Sequence, residues 1–82
     1  MDKIVCYIDS MALAQRVLTP DGKELNVDSD GFAETMVGMC NTYSVNKIHL
    51  FGNKYFIDGV MEEISTKEAE KYSTKNIEFE VN

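Results

Sequence analysis

Two short runs, KIVCYID at 3–9 and KIHLF at 47–51, do most to limit what this chain can fold into. β-branched and aromatic side chains dominate both, and apolar runs of that length make central strands. The first is apolar almost without alternation, the pattern of a strand covered on both faces. The 82 residues leave room for one domain, 1–82, with a modest core and no second domain. Any site on so small a body is shallow or shared.

Between the two runs the pattern reads as a hairpin and then a helix. In ALAQRVLTPDGKELNV, Pro20, Asp21 and Gly22 provide the preset φ, the local side-chain hydrogen bond and the positive φ of a tight turn. Strands are therefore expected near 13–19 and 23–27. Phe32, Met36, Met39 or Cys40 and Tyr43 recur at helical spacing, which predicts a helix over about 30–44. Asp28, Ser29 and Asp30 offer capping oxygens, Val27 and Phe32 can staple the start if Asp28 is the cap, and Asn46 suits a left-handed stop.

After KIHLF, the residues Phe56, Ile57, Val60, Met61, Ile64, Ala69 and Tyr72 make the stripe of a second helix. Ser65 and Glu68 have the spacing of a capping box, yet one long helix carries the whole stripe. Met36, Met39 and Met61, with Phe32, Tyr55 and Phe56, fall on the two helical stripes and are expected in the core. Tyr7, Tyr43, Tyr55 and Tyr72 offer material for an association patch and a homodimer. The tail NIEFEVN alternates Ile77, Phe79 and Val81 with Glu78 and Glu80, the mark of a half-buried edge strand whose glutamates oppose stray pairing.

Fourteen acidic and eight basic side chains give a net charge of -6, and the basic ones are scattered singly. Phosphate backbones bind clustered Lys and Arg, so this balance disfavours direct nucleic-acid binding; it favours solubility and docking on basic protein surfaces. No apolar run approaches the roughly 20 residues of a spanning helix, and the first residues, MDKIVCYID, lack a signal-peptide cleavage pattern. A cytoplasmic location away from membranes is expected. The start methionine and the self-contained pattern favour a whole protein over a fragment.

Cys6 and Cys40 lie inside apolar runs with no metal spacing, which predicts two reduced, packed thiols. His49 is the single histidine and sits mid-strand, so it has no partner ligands for a metal, and Ser10 has no base and orienter for nucleophilic catalysis. No metal ligand set is expected.

The order strand, strand, strand, helix, strand, helix, strand resembles the ribonuclease H-like fold, which also occurs in each half of actin-like ATPases. The resemblance spans nearly the whole chain and is one of topology. It implies an α/β domain, βββαβαβ, of two or three layers, with a mixed five-stranded sheet in the order 3-2-1-4-5 and two helices. Strands one and four would be parallel neighbours at the centre, setting Asp9 and Ser10 beside Gly52 and Asn53, where open α/β sheets bind ligands. Ribonuclease H-like nucleases hold two divalent metals with carboxylates, and the resemblance maps their positions onto Asp9, Glu34 and Asn53. Asn53 brings no charge, and the chain stops before a later helix that would supply a fourth acid. The tail of strand one, IDSMA, lacks the glycine-rich phosphate turn of the actin-like proteins, and FGNKYF has one glycine where their adenosine-side turn has two or three.

The leading expectation is a non-catalytic, acidic module that binds another protein, with no cofactor. Small acidic single-domain chains of this kind are common among phage and mobile-element accessory factors that inhibit host enzymes. Asp58, Glu62 and Glu63, extended by Glu68 and Glu70, are the candidate partner-binding strip along the second helix, diluted by Lys54, Lys67 and Lys71. The alternative is a Mg²⁺- or Mn²⁺-dependent phosphoryl-transfer enzyme at Asp9, with Glu34 and Asn53. Asn53 and Asp9 also have plain roles, as a helix cap and a turn former.

Overall fold

The computed structural model describes residues 2–82. In chain order the elements are β1 (Ile4–Tyr7), β2 (Ala14–Leu18), β3 (Glu24–Asp28), α1 (Phe32–Tyr43), β4 (Lys47–Phe51), α2 (Lys54–Tyr72) and β5 (Glu78–Val81). The sheet order is β3-β2-β1-β4-β5. β1 runs antiparallel to β2 and parallel to β4, and β5 is parallel to β4. The fold is thus α/β with a mixed five-stranded sheet in the expected order, and none of the helices is long and apolar enough to cross a membrane.

Parallel neighbours need crossover connections, and right-handed crossovers put α1 and α2 on one face of the sheet. Phe32, Met36, Val37 and Cys40 of α1 and Ile57, Val60 and Ile64 of α2 close over Ile4, Cys6, Val17, Ile48 and Leu50 in a single core. The architecture is therefore two layers. β1 is not covered by helices on both faces as its composition predicts: Val5 and Tyr7 point the other way. Val5 stays buried between Leu18 and His49 on the flanking strands, while Tyr7 is partly open to solvent. On that bare face Arg16, Tyr7, Phe51 and His49 form a stacked row, with the guanidinium 4.2 Å from the Tyr7 ring centre and Tyr7 and Phe51 5.3 Å apart.

Cys6 and Cys40 are free and buried, as expected. Burial pushes the Cys6 thiol up to about 12 and the Cys40 thiol up to about 11, with the Glu68 carboxylate adding to the effect on Cys40. Both thiols stay protonated near neutral pH, and Cys6 donates to the Met36 sulfur at 3.6 Å.

Helix boundaries depart from expectation in instructive ways. Asp28 does not cap α1: its Oδ1 accepts from the Asp30 N–H, a local turn that takes the side chain out of play, and the helix begins after Gly31 with no side-chain cap. The left-handed stop falls at Ser44, with φ 54°, and not at Asn46, whose amide instead donates to the Asn76 carbonyl. α2 runs unbroken through Ser65 and Glu68. Tyr55, expected in the core, is 88% exposed.

Candidate functional site

The carboxyl ends of β1 and β4 meet as the strand order implies. The Ile8 N–H donates to the Phe51 carbonyl at 2.8 Å, so Asp9 and Ser10 leave the sheet next to Gly52 and Asn53. Gly52 has φ +151° and sits so close to β1 that a Cβ built on it would lie 2.6 Å from the Ile8 carbonyl oxygen. Its lack of a side chain is what lets the two strand ends approach.

Asn53 and one carboxylate oxygen of Asp9 bond to nearby backbone N–H groups at this junction. Asn53 is the N-cap of α2, its side-chain oxygen accepting from the Tyr55 N–H at 3.0 Å. Asp9 Oδ1 accepts from the Met11 N–H at 2.9 Å, and the Asp9 carbonyl accepts from the Ala12 N–H. Both residues therefore do the capping and turning that their types favour. Asn53→Ala is expected to lower the unfolding free energy by about 1 kcal/mol, while Asn53→Asp keeps most of it, as read by urea denaturation.

Glu34 is not gathered with them. It sits on the first turn of α1 and lines a shallow surface cleft with Val37, Lys67, Glu70 and Lys71, beside the far half of α2. Among the described residues no three His, Cys, Asp or Glu side chains converge on a point able to hold a metal. His49 lies on the bare sheet face, its Nε2 2.7 Å from Asn82 Oδ1 and its Nδ1 3.8 Å from Glu80.

Gln15 organises the loop that follows Asp9, and nothing in its sequence context announces it. It is 3% exposed on the core side of β2. Its Oε1 accepts from the Asp9 N–H, and its Nε2 donates to the Asp9 carbonyl at 2.9 Å and to Ser29 Oγ at 2.8 Å. Ser29 Oγ donates onward to the Ala12 carbonyl, and the Ser29 N–H donates to the Leu13 carbonyl. A network of this kind, anchored on one buried amide whose donors and acceptor all have partners, favours a single loop conformation.

Beyond Asp9 and Ser10, what that loop presents is apolar. Met11 and Leu13 are each 89% exposed, and Tyr55 at the start of α2 is 88% exposed, with Phe56 beside it half-open. All four belong to the carboxyl end of the sheet, since β2 starts where β1 ends and α2 starts where β4 ends. Exposed apolar residues scattered singly are ordinary; here several lie at one end of the sheet. Tyr7 and Phe51, the last residues of β1 and β4, bring aromatic surface to the same end of the bare face.

A second cleft, of about 420 Å³, opens at the opposite end of the sheet between the carboxyl ends of the helices, lined by Val37, Cys40, Ser44, Glu68, Tyr72 and Ile77. Glu68, expected on the exposed acidic strip, is 5% exposed and accepts from the N–H groups of Asn76 and Ile77 at 3.1 and 3.2 Å. Its oxygens secure the connection into β5. Asp58, Glu62 and Glu63 are exposed on α2 as expected, and Glu70 pairs with Lys67 at 3.7 Å. No protein-family model, no curated protein and no solved structure matches the chain.

Proposed function

We propose that this chain is a non-catalytic protein-binding module built on a ribonuclease H-like strand order, acting in the cytoplasm as an accessory factor or inhibitor of the kind that phage and mobile elements direct at host enzymes. One observation carries the reading: Met11, Leu13 and Tyr55 are held almost fully in water by a loop braced by the buried Gln15 side chain and a helix start capped by Asn53. Rigid exposed apolar groups add little to the stability of the free chain and lower the ordering cost of association. The competing reading, phosphoryl transfer with Mg²⁺ or Mn²⁺, needs Asp9, Glu34 and Asn53 to act on one metal pair, and Glu34 stands apart from the other two.

The test is affinity capture from host lysate, read by mass spectrometry, with wild type, Asp9→Asn and the triple variant M11S/L13S/Y55S. One dominant protein retained by wild type and Asp9→Asn, and lost from the triple variant, is the expected result. The substituted side chains are exposed, so all three forms should melt alike. Enrichment of nothing overturns the reading. So does a thermal midpoint raised by Mn²⁺ in wild type and not in Asp9→Asn, since that is the behaviour of a native metal site.

A further inference from the structure

This inference rests on the protein-binding reading and names the partner's chemistry. We propose that the carboxyl end of the sheet docks a short basic, amphipathic segment of another protein, with its apolar side chains on Met11, Leu13, Tyr55 and Phe56 and its lysines or arginines against Asp9, Asp58 and Glu63.

The charge around the apolar patch is one-sided. Asp9 follows β1, Asp28 and Asp30 close the end of β3, and Asp58 stands near the start of α2 with Glu63 at its middle; all are exposed. None of these carboxylates takes part in an ion pair among the described residues. The one basic group on the bare face near this end, Arg16, is already held by Glu24 at 2.9 Å and by the Tyr7 ring. Among the described residues, Lys54 is the basic side chain that dilutes these acids. A partner carrying positive charge would be steered to this end and would find unpaired carboxylates waiting.

The shape at the patch agrees with the charge. Ile8, Phe32, Phe56 and Val60 make the apolar wall of a narrow cleft whose polar lining is Gln15, Ser29 and Glu63. A hydrocarbon wall beside a carboxylate suits a lysine or arginine, whose methylene stem packs on the apolar side chains while its head stays at the polar margin. Other occupants fit worse. A second copy would bring the same acids to face their own kind, and the sheet edges are protected in the same way, with Glu24 and Asp28 on β3 and Glu78 and Glu80 on β5. A nucleic-acid strand would meet carboxylates where it needs cations.

The experiment is selection of a random peptide library on the immobilised full chain, with counter-selection on M11S/L13S/Y55S, followed by titration of the recovered peptides into isotopically labelled protein. Recovered sequences should combine Lys or Arg with Leu, Ile or Phe. Their shift changes should fall on residues 9–13 and 53–63, with affinity lowered about tenfold or more in M11S/L13S/Y55S and in D58K/E63K, and falling as salt rises. Acidic or neutral consensus sequences, binding that D58K/E63K leaves unchanged, tighter binding of a single-stranded oligonucleotide at the same residues, or no enrichment over the counter-selected form would each overturn the proposal. A partner captured from lysate that the triple variant still holds would remove this site and leave a binding module that docks elsewhere.

Discussion

Gly52→Ala should lower the unfolding free energy by about 2–4 kcal/mol, enough to drop the melting temperature of a domain this size by something on the order of 10–20 °C. Two effects add. The backbone at Gly52 has φ +151°, a region side chains rarely enter, and the new methyl would stand 2.6 Å from the Ile8 carbonyl oxygen and 3.3 Å from the Ile8 Cβ. The obstacle is backbone at a strand end, so no side-chain rotation relieves it. β1 and β4 must part, and the hydrogen bond from the Ile8 N–H to the Phe51 carbonyl, 2.8 Å long, opens with them. Ile8 belongs to the core and Asn53 caps the helix one residue on, so the disturbance spreads to both layers. Gly22 is the matched control. It also has positive φ, +86°, but open space where a Cβ would go, so Gly22→Ala should cost only about 1 kcal/mol. Urea denaturation of both variants separates steric contact from backbone preference, and equal losses would sink the close-approach account.

The junction that Gly52 permits is legible in the amino-acid sequence. Unbroken apolar runs with a turn signal after each, one feeding a hairpin and the other a helix, leave few ways to order the strands, and the observed order set Asp9 beside Asn53. The thickness of the fold was not legible. A β-branched, aromatic strand such as Ile4–Tyr7 looks double-covered because its outward residues are apolar too, yet Val5 is shielded by neighbouring strands and not by a helix. Capping went astray at α1 for a local reason: Asp28, Ser29 and Asp30 compete for the same few N–H groups, and which one wins depends on the loop that Gln15 and Ser29 build with residues far away in sequence. Gln15 itself reads as an ordinary polar strand residue, and only closure of the β1–β2 loop makes it interior. Tyr55 could have been placed correctly, since it lies two residues before Ile57 and off the stripe formed by Ile57, Val60 and Ile64.

Glu68 lies on that same stripe, four residues after Ile64, and its position there is the signal that it is buried. A carboxylate in that place must be matched by donors, and the backbone supplies them: the N–H groups of Asn76 and Ile77 reach its two oxygens. These bonds hold the turn between α2 and β5 against the helix, just before the Glu78 N–H donates to the Asn46 carbonyl and pairing with β4 begins. Glu68→Ala removes the acceptor for two donors and enlarges the cleft beside Cys40, so a loss of about 2–4 kcal/mol is expected. Glu68→Gln keeps one oxygen and turns an amide N–H₂ toward the other donor, so it should fall between wild type and alanine. The loss should be local before it is global. β5 is four residues long and pairs on one side only, so in Glu68→Ala the amides of Glu78, Glu80 and Asn82 should exchange faster than those of β1. Cys40, which lines the same cleft with Ile77, should become open to alkylation under conditions where Cys6, buried beneath the centre of the sheet, stays protected. Uniformly faster exchange across all strands, with both thiols exposed together, would show that Glu68 supports the whole core and not the docking of its last strand.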